Sequence, residues 1–397
     1  MNYCFPRMFL NFFFAACLAG CSQTRTLPLS DTAIGQEEAS LSKPLGNVEL
    51  VIAESAPEHS QQLSINVQNF TSTEKNAKET SKFGQWVFEE ITKKETRFLP
   101  HLLSNVLETS NNWGAVRVLP DRDPTFDITV NGEIIRSNGS RLELKVQATD
   151  STNRVWFENY YTDQAAVSDY PNSARFTFGN RFDGANYEDP FTDLYSQIAN
   201  DILQARDLLT RAERNEIIQV TQLTYATDVA PETFEGSLIS GADGRLAPAR
   251  FPANNDPTFA RVRDMQYRHE LFVDTVDEYY ETLYKDIQPA YVLWRKYSLD
   301  EIEEEKQRNA EGDRPSASYG NSRSFLALSQ RYDRFKWSKI YEHEFTELAQ
   351  GFNQELAPAM LELNTQVYGL TGTMEQQYRA WRGTLRELYE LQLQSNL

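Results

Sequence analysis

Cysteine is scarce in this 397-residue chain: Cys4, Cys17 and Cys21 are its only three, and none follows position 21. A disulfide framework or a thiolate metal site beyond that point is therefore excluded. Histidine is limited to His59, His101, His269 and His343. Neither His269-Glu270 nor His343-Glu344 has a second histidine four residues on, so the two-histidine zinc helix is absent. Positive charge is in deficit, with 39 Lys+Arg against 57 Asp+Glu and a net charge of −18. Such a surface repels phosphate backbones, and nucleic acid is not an expected partner. Beyond the first twenty residues no apolar run reaches the roughly 18 needed to cross a bilayer as a helix. Phosphate-cradling glycine loops and Gly-x-Ser-x-Gly are missing as well.

What remains is ordinary globular stock, 40% hydrophobic and 12% aromatic, long enough for two or three domains. Its clearest signal is at the start. Met8 to Ala19, with Phe9-Leu10 and Phe12-Phe13-Phe14, follows a segment whose only charged side chain is Arg7. That stretch suits a secretory core and is too short to span. It ends in Leu18-Ala19-Gly20-Cys21, which resembles the lipobox of bacterial lipoproteins. The resemblance implies cleavage between Gly20 and Cys21, lipidation of Cys21, and, with Ser22 next, delivery to the outer membrane; the periplasmic face is the default expectation. Two or three acyl chains anchor stably where one does not. Positions 21–46, rich in Ser, Thr, Gln and Glu with Pro28 and Pro44, read as a flexible tether after a leader at 1–20.

Positions 47–210 alternate between strand and helix. Val48–Ile52 and Leu63–Val67 read as strands, Phe83–Thr109 as a helix broken or kinked at Pro100, and Ala115–Leu119 as a short strand. Phe126–Ile135 and Arg141–Ala148 are joined through Ser137-Asn138-Gly139-Ser140, whose Asn-Gly pair suits the positive φ of a hairpin turn. Arg154–Tyr161 and a helix over about 190–210 follow. The expected fold class is α+β, opening with an α/β sandwich whose sheet is covered by helices.

The stretches LSINVQNF, WGAVRVLP, FDITVNGEI, LELKVQATD and RVWFENYY, in that order around the long helix, resemble the amino-terminal domain of TolB and the curli-secretion lipoprotein superfamily. Phe70, Asp127 and Gly132 occupy the matching places over positions 63–205. That resemblance implies envelope proteins that bind partners, stimulate cell-wall synthases or form export pores. For a pore, Tyr170–Tyr187 is too short and polar to supply two spanning strands.

Positions 211–256 read as a connecting segment, with Pro and Gly clustered after Ala230 and a small hairpin turning at Asp243-Gly244. From Asp256, a cap before Pro257, positions 257–397 read as an all-α helical bundle. Val262, Met265, His269, Phe272, Val276, Tyr279 and Leu283 form its first stripe, Pro289 kinks or ends that helix, and Gly312–Asn321 makes a loop. Tyr341, Phe345, Leu348, Phe352 and Leu356 mark the next helix, and Met374, Tyr378, Trp381, Leu385 and Leu388 the last.

No constellation among these residues carries catalysis. Ser40-x-x-Lys43 and Ser72-x-x-Lys75 lack the companion motifs of penicillin-binding enzymes. Asp121, Asp123 and Asp127 lack the glycine and closing glutamate of a calcium loop and read as a polar turn. Asp274, Asp277, Glu278 and Glu281 read as a solvated helix face, and His269 as a hydrogen-bonded core residue. The sequence therefore points to a non-enzymatic lipoprotein, membrane-bound through its anchor, that needs no cofactor or metal. It serves as scaffold or activator for an envelope protein partner. A subunit of an export or surface-polymer channel, and a cell-wall hydrolase of unrecognised type, are the alternatives.

Overall fold

The computed structural model describes residues 43–58, 61–73, 85–170, 187–253, 255–311, 356–363 and 366–394. The leader, the Gly20–Cys21 cut, nearly all of the tether, most of Tyr170–Tyr187, the Gly312–Asn321 loop and the stripe from Tyr341 to Phe352 lie outside these. The described residues all belong to one compact unit.

Short apolar runs build the central sheet. β1 (Ile65–Gln68) lies parallel between β3 (Val116–Leu119) and β4 (Ile128–Ser137). β4 continues antiparallel into β5 (Arg141–Asp150) and β6 (Val155–Gln164), giving the order β3-β1-β4-β5-β6, while β2 (Thr71–Ser72) pairs with the far half of β4. One face carries Ile65, Val67, Val130, Leu142, Leu144, Val146 and Ala148, all buried. On the opposite face of β5, Lys145 and Gln147 meet Glu158 of β6 in solvent-facing polar contacts. Helices cover the apolar face: α1 (Gln85–Thr109) through Phe98, Leu99 and Leu103, and α2 (Thr192–Asp207) through Leu194, Ile198 and Ile202. A sheet wet on one side and helix-covered on the other is a two-layer α/β arrangement, and the class is α+β.

Several expectations are corrected by the structure. α1 runs through Pro100 unbroken. Proline has no N–H to give the Thr96 carbonyl, and the Phe70 N–H takes that acceptor instead, at 2.7 Å. Val48–Ile52 is not a strand. Its backbone is held by α2 side chains, Val48 N donating to Asp193 Oδ1 (2.8 Å) and Asn200 bonding both Val51 N and Glu49 O, which leaves Val51 and Ile52 exposed. The β4–β5 turn does not use positive φ at Asn138 or Gly139; the turn after β5 does, at Asn153 (φ 65°).

α3 (Arg211–Val229) follows α2 directly, started by a reciprocal cap between Thr210 and Glu213. After the one-turn α4 (Pro231–Phe234), the expected hairpin forms from β7 (Leu238–Ser240) and β8 (Leu246–Pro248), with Gly244 at φ 80°. α5 (Pro257–Glu311) begins where Asp256 Oδ1 accepts the Thr258 and Phe259 N–H groups, and its 55 residues run through Pro289. The last third is not all-helical. β9 (Leu356–Leu363) and β10 (Gln366–Gly372) pair antiparallel before α6 (Met374–Gln394). Here Pro358 and Gly369 and Gly372 disfavour helix in a 17-residue stretch whose neighbours are good helix formers. α5 and α6 join the core of the α/β half, so one apolar cluster runs from Leu63 to Tyr389.

Candidate functional site

Two buried polar nodes fasten α5 to the rest of the chain. The first is centred on Asp123, in the turn between β3 and β4. Its Oδ1 accepts Thr125 N (2.8 Å) and Thr125 Oγ1 (2.5 Å), while its Oδ2 lies 2.7 Å from His269 Nε2 of α5 and accepts the Tyr378 hydroxyl of α6. Asp123, His269 and Tyr378 are each at most 1% exposed. Burial disfavours the Asp123 carboxylate, but the His269 charge and these hydrogen bonds outweigh it and hold the carboxyl well below its ordinary range. Burial and the adjacent Asp123 carboxylate push the Tyr378 hydroxyl far up. An acid that keeps its charge and a phenol that keeps its proton make a clamp. They are poorly matched to proton transfer near neutrality.

The second node lies about 26 residues further along α5. Glu95 Oε1 of α1 accepts from Tyr291 OH (2.6 Å), Ser137 Oγ (2.8 Å) and Arg295 Nη2 (3.1 Å), all buried. The Arg295 guanidinium also packs over Phe191 and Tyr291, with ring centroids at 4.7 and 4.9 Å. Beside it the β4–β5 turn lies flat on α5. Gly139 N donates to Ser298 Oγ (3.2 Å), Gly139 O accepts Tyr170 OH (2.8 Å), and a Cβ at Gly139 would collide with the Arg295 carbonyl and the Leu299 nitrogen. The glycine is required there for close approach of two backbones. Between the nodes, His101 stacks on Tyr284 at 3.9 Å, and burial brings its pKa down to about 3, so the contact is made by a neutral ring.

The three residues that carry the superfamily resemblance have physical roles. The Phe70 ring sits directly over Gly132, so close that a Cβ there would lie 2.5 Å from it. Asp127 Oδ2 accepts from Ser64 N and Oγ, and its Oδ1 from Thr221 Oγ1 of α3 at 2.7 Å, tying β1, β4 and α3 together. Asp121, expected in the same polar turn, is on the surface with Arg379, Nε to Oδ2 2.7 Å. Of the acidic group on α5, Asp274 and Asp277 meet at Arg117 of β3, Glu281 pairs with Lys285, and Glu278 is exposed. Lipidation at Cys21 lies outside the described residues. Among the described residues no three His, Cys, Asp or Glu side chains converge as metal ligands.

With its inner side so fixed, α5 presents an outer face. Tyr267 (61% exposed) and Leu271 (50%) stand one turn apart there. One turn further begins an open depression of about 370 Å³ lined by Thr275, Glu278, Tyr279, Thr282, Leu283 and Asp286. A second, of about 430 Å³, lies beside α4 and is lined by Thr227, Pro231, Glu232, Phe234, Gly236 and Leu238. The Asp123 and Glu95 nodes line neither. Among the described residues no helix is long and apolar enough to cross a membrane.

No known protein family matches the chain, and no curated protein matches it. A solved structure, the hypothetical protein CT253 from Chlamydia trachomatis, is similar over 36% of this chain and 94% of its own, at 10% identity and a TM-score of 0.22. That likeness is too slight to carry an argument about fold or function.

Proposed function

We propose that this protein is an outer-membrane lipoprotein, anchored through Cys21 after cleavage at Gly20, whose folded body is a non-enzymatic scaffold or activator for another envelope protein. The anchor rests on Leu18-Ala19-Gly20-Cys21 and the short apolar core before it. The α/β half is read as similar to the TolB amino-terminal domain. The parallel β1–β4 pair, the long covering helix, and Phe70 seated on Gly132 support that reading. The observation that carries the binding role is the outer face of α5. Tyr267, exposed on a helix pinned at two buried nodes, offers on a rigid support an aromatic side chain of the kind enriched at interface anchors, with the exposed Leu271 one turn away adding apolar area.

The test is crosslinking capture from native envelopes by the tagged, lipidated full chain, beside Cys21→Ser and Tyr267→Asp/Leu271→Asp. One recurrent envelope protein is expected, lost with either variant while both remain folded. Capture of the same proteins by all three chains would refute the reading. Large rings containing only this chain would favour a channel instead.

A further inference from the structure

Asp163, near the end of β6, is 4% exposed; among the described residues its Oδ2 has no hydrogen-bond partner, and its Oδ1 accepts the Gln164 N–H, at 2.8 Å. A buried carboxylate oxygen with nothing to accept from is costly, and more so beside like charge. Three further carboxylates act on it: Asp189 just before α2, Asp193 in the first turn of α2, and Asp169 in the turn at Val167–Asp169. Tyr195 of α2 also feels its charge, and its buried hydroxyl has no partner among the described residues. Tyr170 and Tyr187 border Asp169 and Asp189. From α5 the positive group is Arg295, which offsets Asp189 and is already bonded to Glu95. The residue facing Asp163 across β5 is apolar Leu142. This cluster lies under the point where the amino-terminal segment joins the body. Leu45 N donates to Thr162 O (2.9 Å), Leu45 packs on the core, and Val48 N donates to Asp193 Oδ1, while Lys43 just before is exposed.

We propose that this junction is an acid-closed latch. With Asp163 protonated, the carboxyl gains a donor and loses its repulsion, and residues 43–53 stay docked across β6, α2 and the end of α1. With Asp163 ionised, the buried charge drives local opening and the segment peels away. Burial, reinforced by Asp193, Asp169 and Asp189, pushes this carboxyl up to about 6 from an ordinary 3.8. The sign follows. A carboxyl whose pKa is raised in the closed state favours closure fully below 3.8 and loses that contribution as pH rises through about 6. The opening equilibrium should then grow about tenfold between pH 5 and pH 7.5, the ratio set by those two pKa values. On the anchored reading, opening lengthens the tether by about 35 Å of extended chain. The latch itself requires neither lipid nor partner.

The experiment is amide hydrogen exchange, read by mass spectrometry on the full chain in mild detergent, with rates normalised to the intrinsic rate at each pH. Peptides covering 43–53 should lose about tenfold protection from pH 5 to pH 7.5, and Asp163→Asn, which mimics the protonated form, should be protected equally at both. Unchanged protection in the unaltered chain, or an undiminished drop in Asp163→Asn, would overturn the latch. Should Asp163→Asn fail to fold by circular dichroism, Asp169→Asn decides: removing one repelling charge must move the midpoint to lower pH, and an unmoved midpoint overturns the proposal. None of these outcomes depends on partner capture, so the latch and the scaffold reading fail separately.

Discussion

Replacing Asp123 by Asn keeps the shape of the first node and removes its charge. The carboxylate, 1% exposed, accepts four hydrogen bonds, two from Thr125, one from His269 and one from Tyr378. An amide offers one acceptor oxygen and turns a donor toward groups that also donate. Hydrogen bonds to a buried charge are worth about 1.5–3 kcal/mol each, and breaking a buried charged pair from one side costs about 3–5 kcal/mol. Asp123→Asn should therefore destabilise the chain by about 3–5 kcal/mol at pH 7, measured as the change in urea midpoint at constant slope. The pH dependence sharpens the test. Because the folded chain holds this carboxyl below its ordinary 3.8, its contribution is complete above that value and is lost as pH falls below it. The difference between Asp123→Asn and the unaltered chain should shrink on acidification. Asp121→Asn, which breaks an exposed pair with Arg379, is the control and should cost under about 1 kcal/mol. A loss below 1 kcal/mol for Asp123→Asn, or no difference from the control, would show that the node does not hold the helices to the sheet.

Gly139→Ala should cost about 2–4 kcal/mol, because the new Cβ meets backbone of α5 that cannot rotate away and the Ser298 bond is lost with it; thermal unfolding followed by circular dichroism measures this. Phe70→Ala should cost about 3–5 kcal/mol and Gly132→Ala about 1–3, and the double variant should cost at least about 1 kcal/mol less than their total, since the added methyl enters the space the ring leaves. Additive values in that urea-unfolding cycle would show that the two residues are not in contact.

Much of the sheet was legible because its signals are local. Alternation in Arg141–Ala148, the polar turn before Arg154 and the Asp256-Pro257 start each place an element within a few residues of where it forms. Thr210-x-x-Glu213, a capping box written in the sequence, could also have marked the start of α3. The misreadings came from partners distant in sequence. Pro100 looked like a break because its orphaned acceptor is satisfied by Phe70, outside the helix. Val48–Ile52 has strand composition, but its backbone partners are side chains of Asp193 and Asn200, about 150 positions away. Asn138-Gly139 looked like a positive-φ turn because nothing local reveals that α5 presses on it. The polar nodes were half legible. His269 is the hydrogen-bonded core residue its apolar stripe suggested, yet its pairing with Asp123 joins residues 146 apart.

The spacing of the two nodes has a mechanical consequence. A helix bolted at one point can swivel about the bolt and roll about its own axis. One fixed at His269 and again at Arg295, about 40 Å along, can do neither without breaking buried charge contacts. A load applied to the outer face of α5 is therefore delivered as torque towards both ends of β4 together, through Asp123 in the turn before it and through Ser137 and Gly139 at its far end.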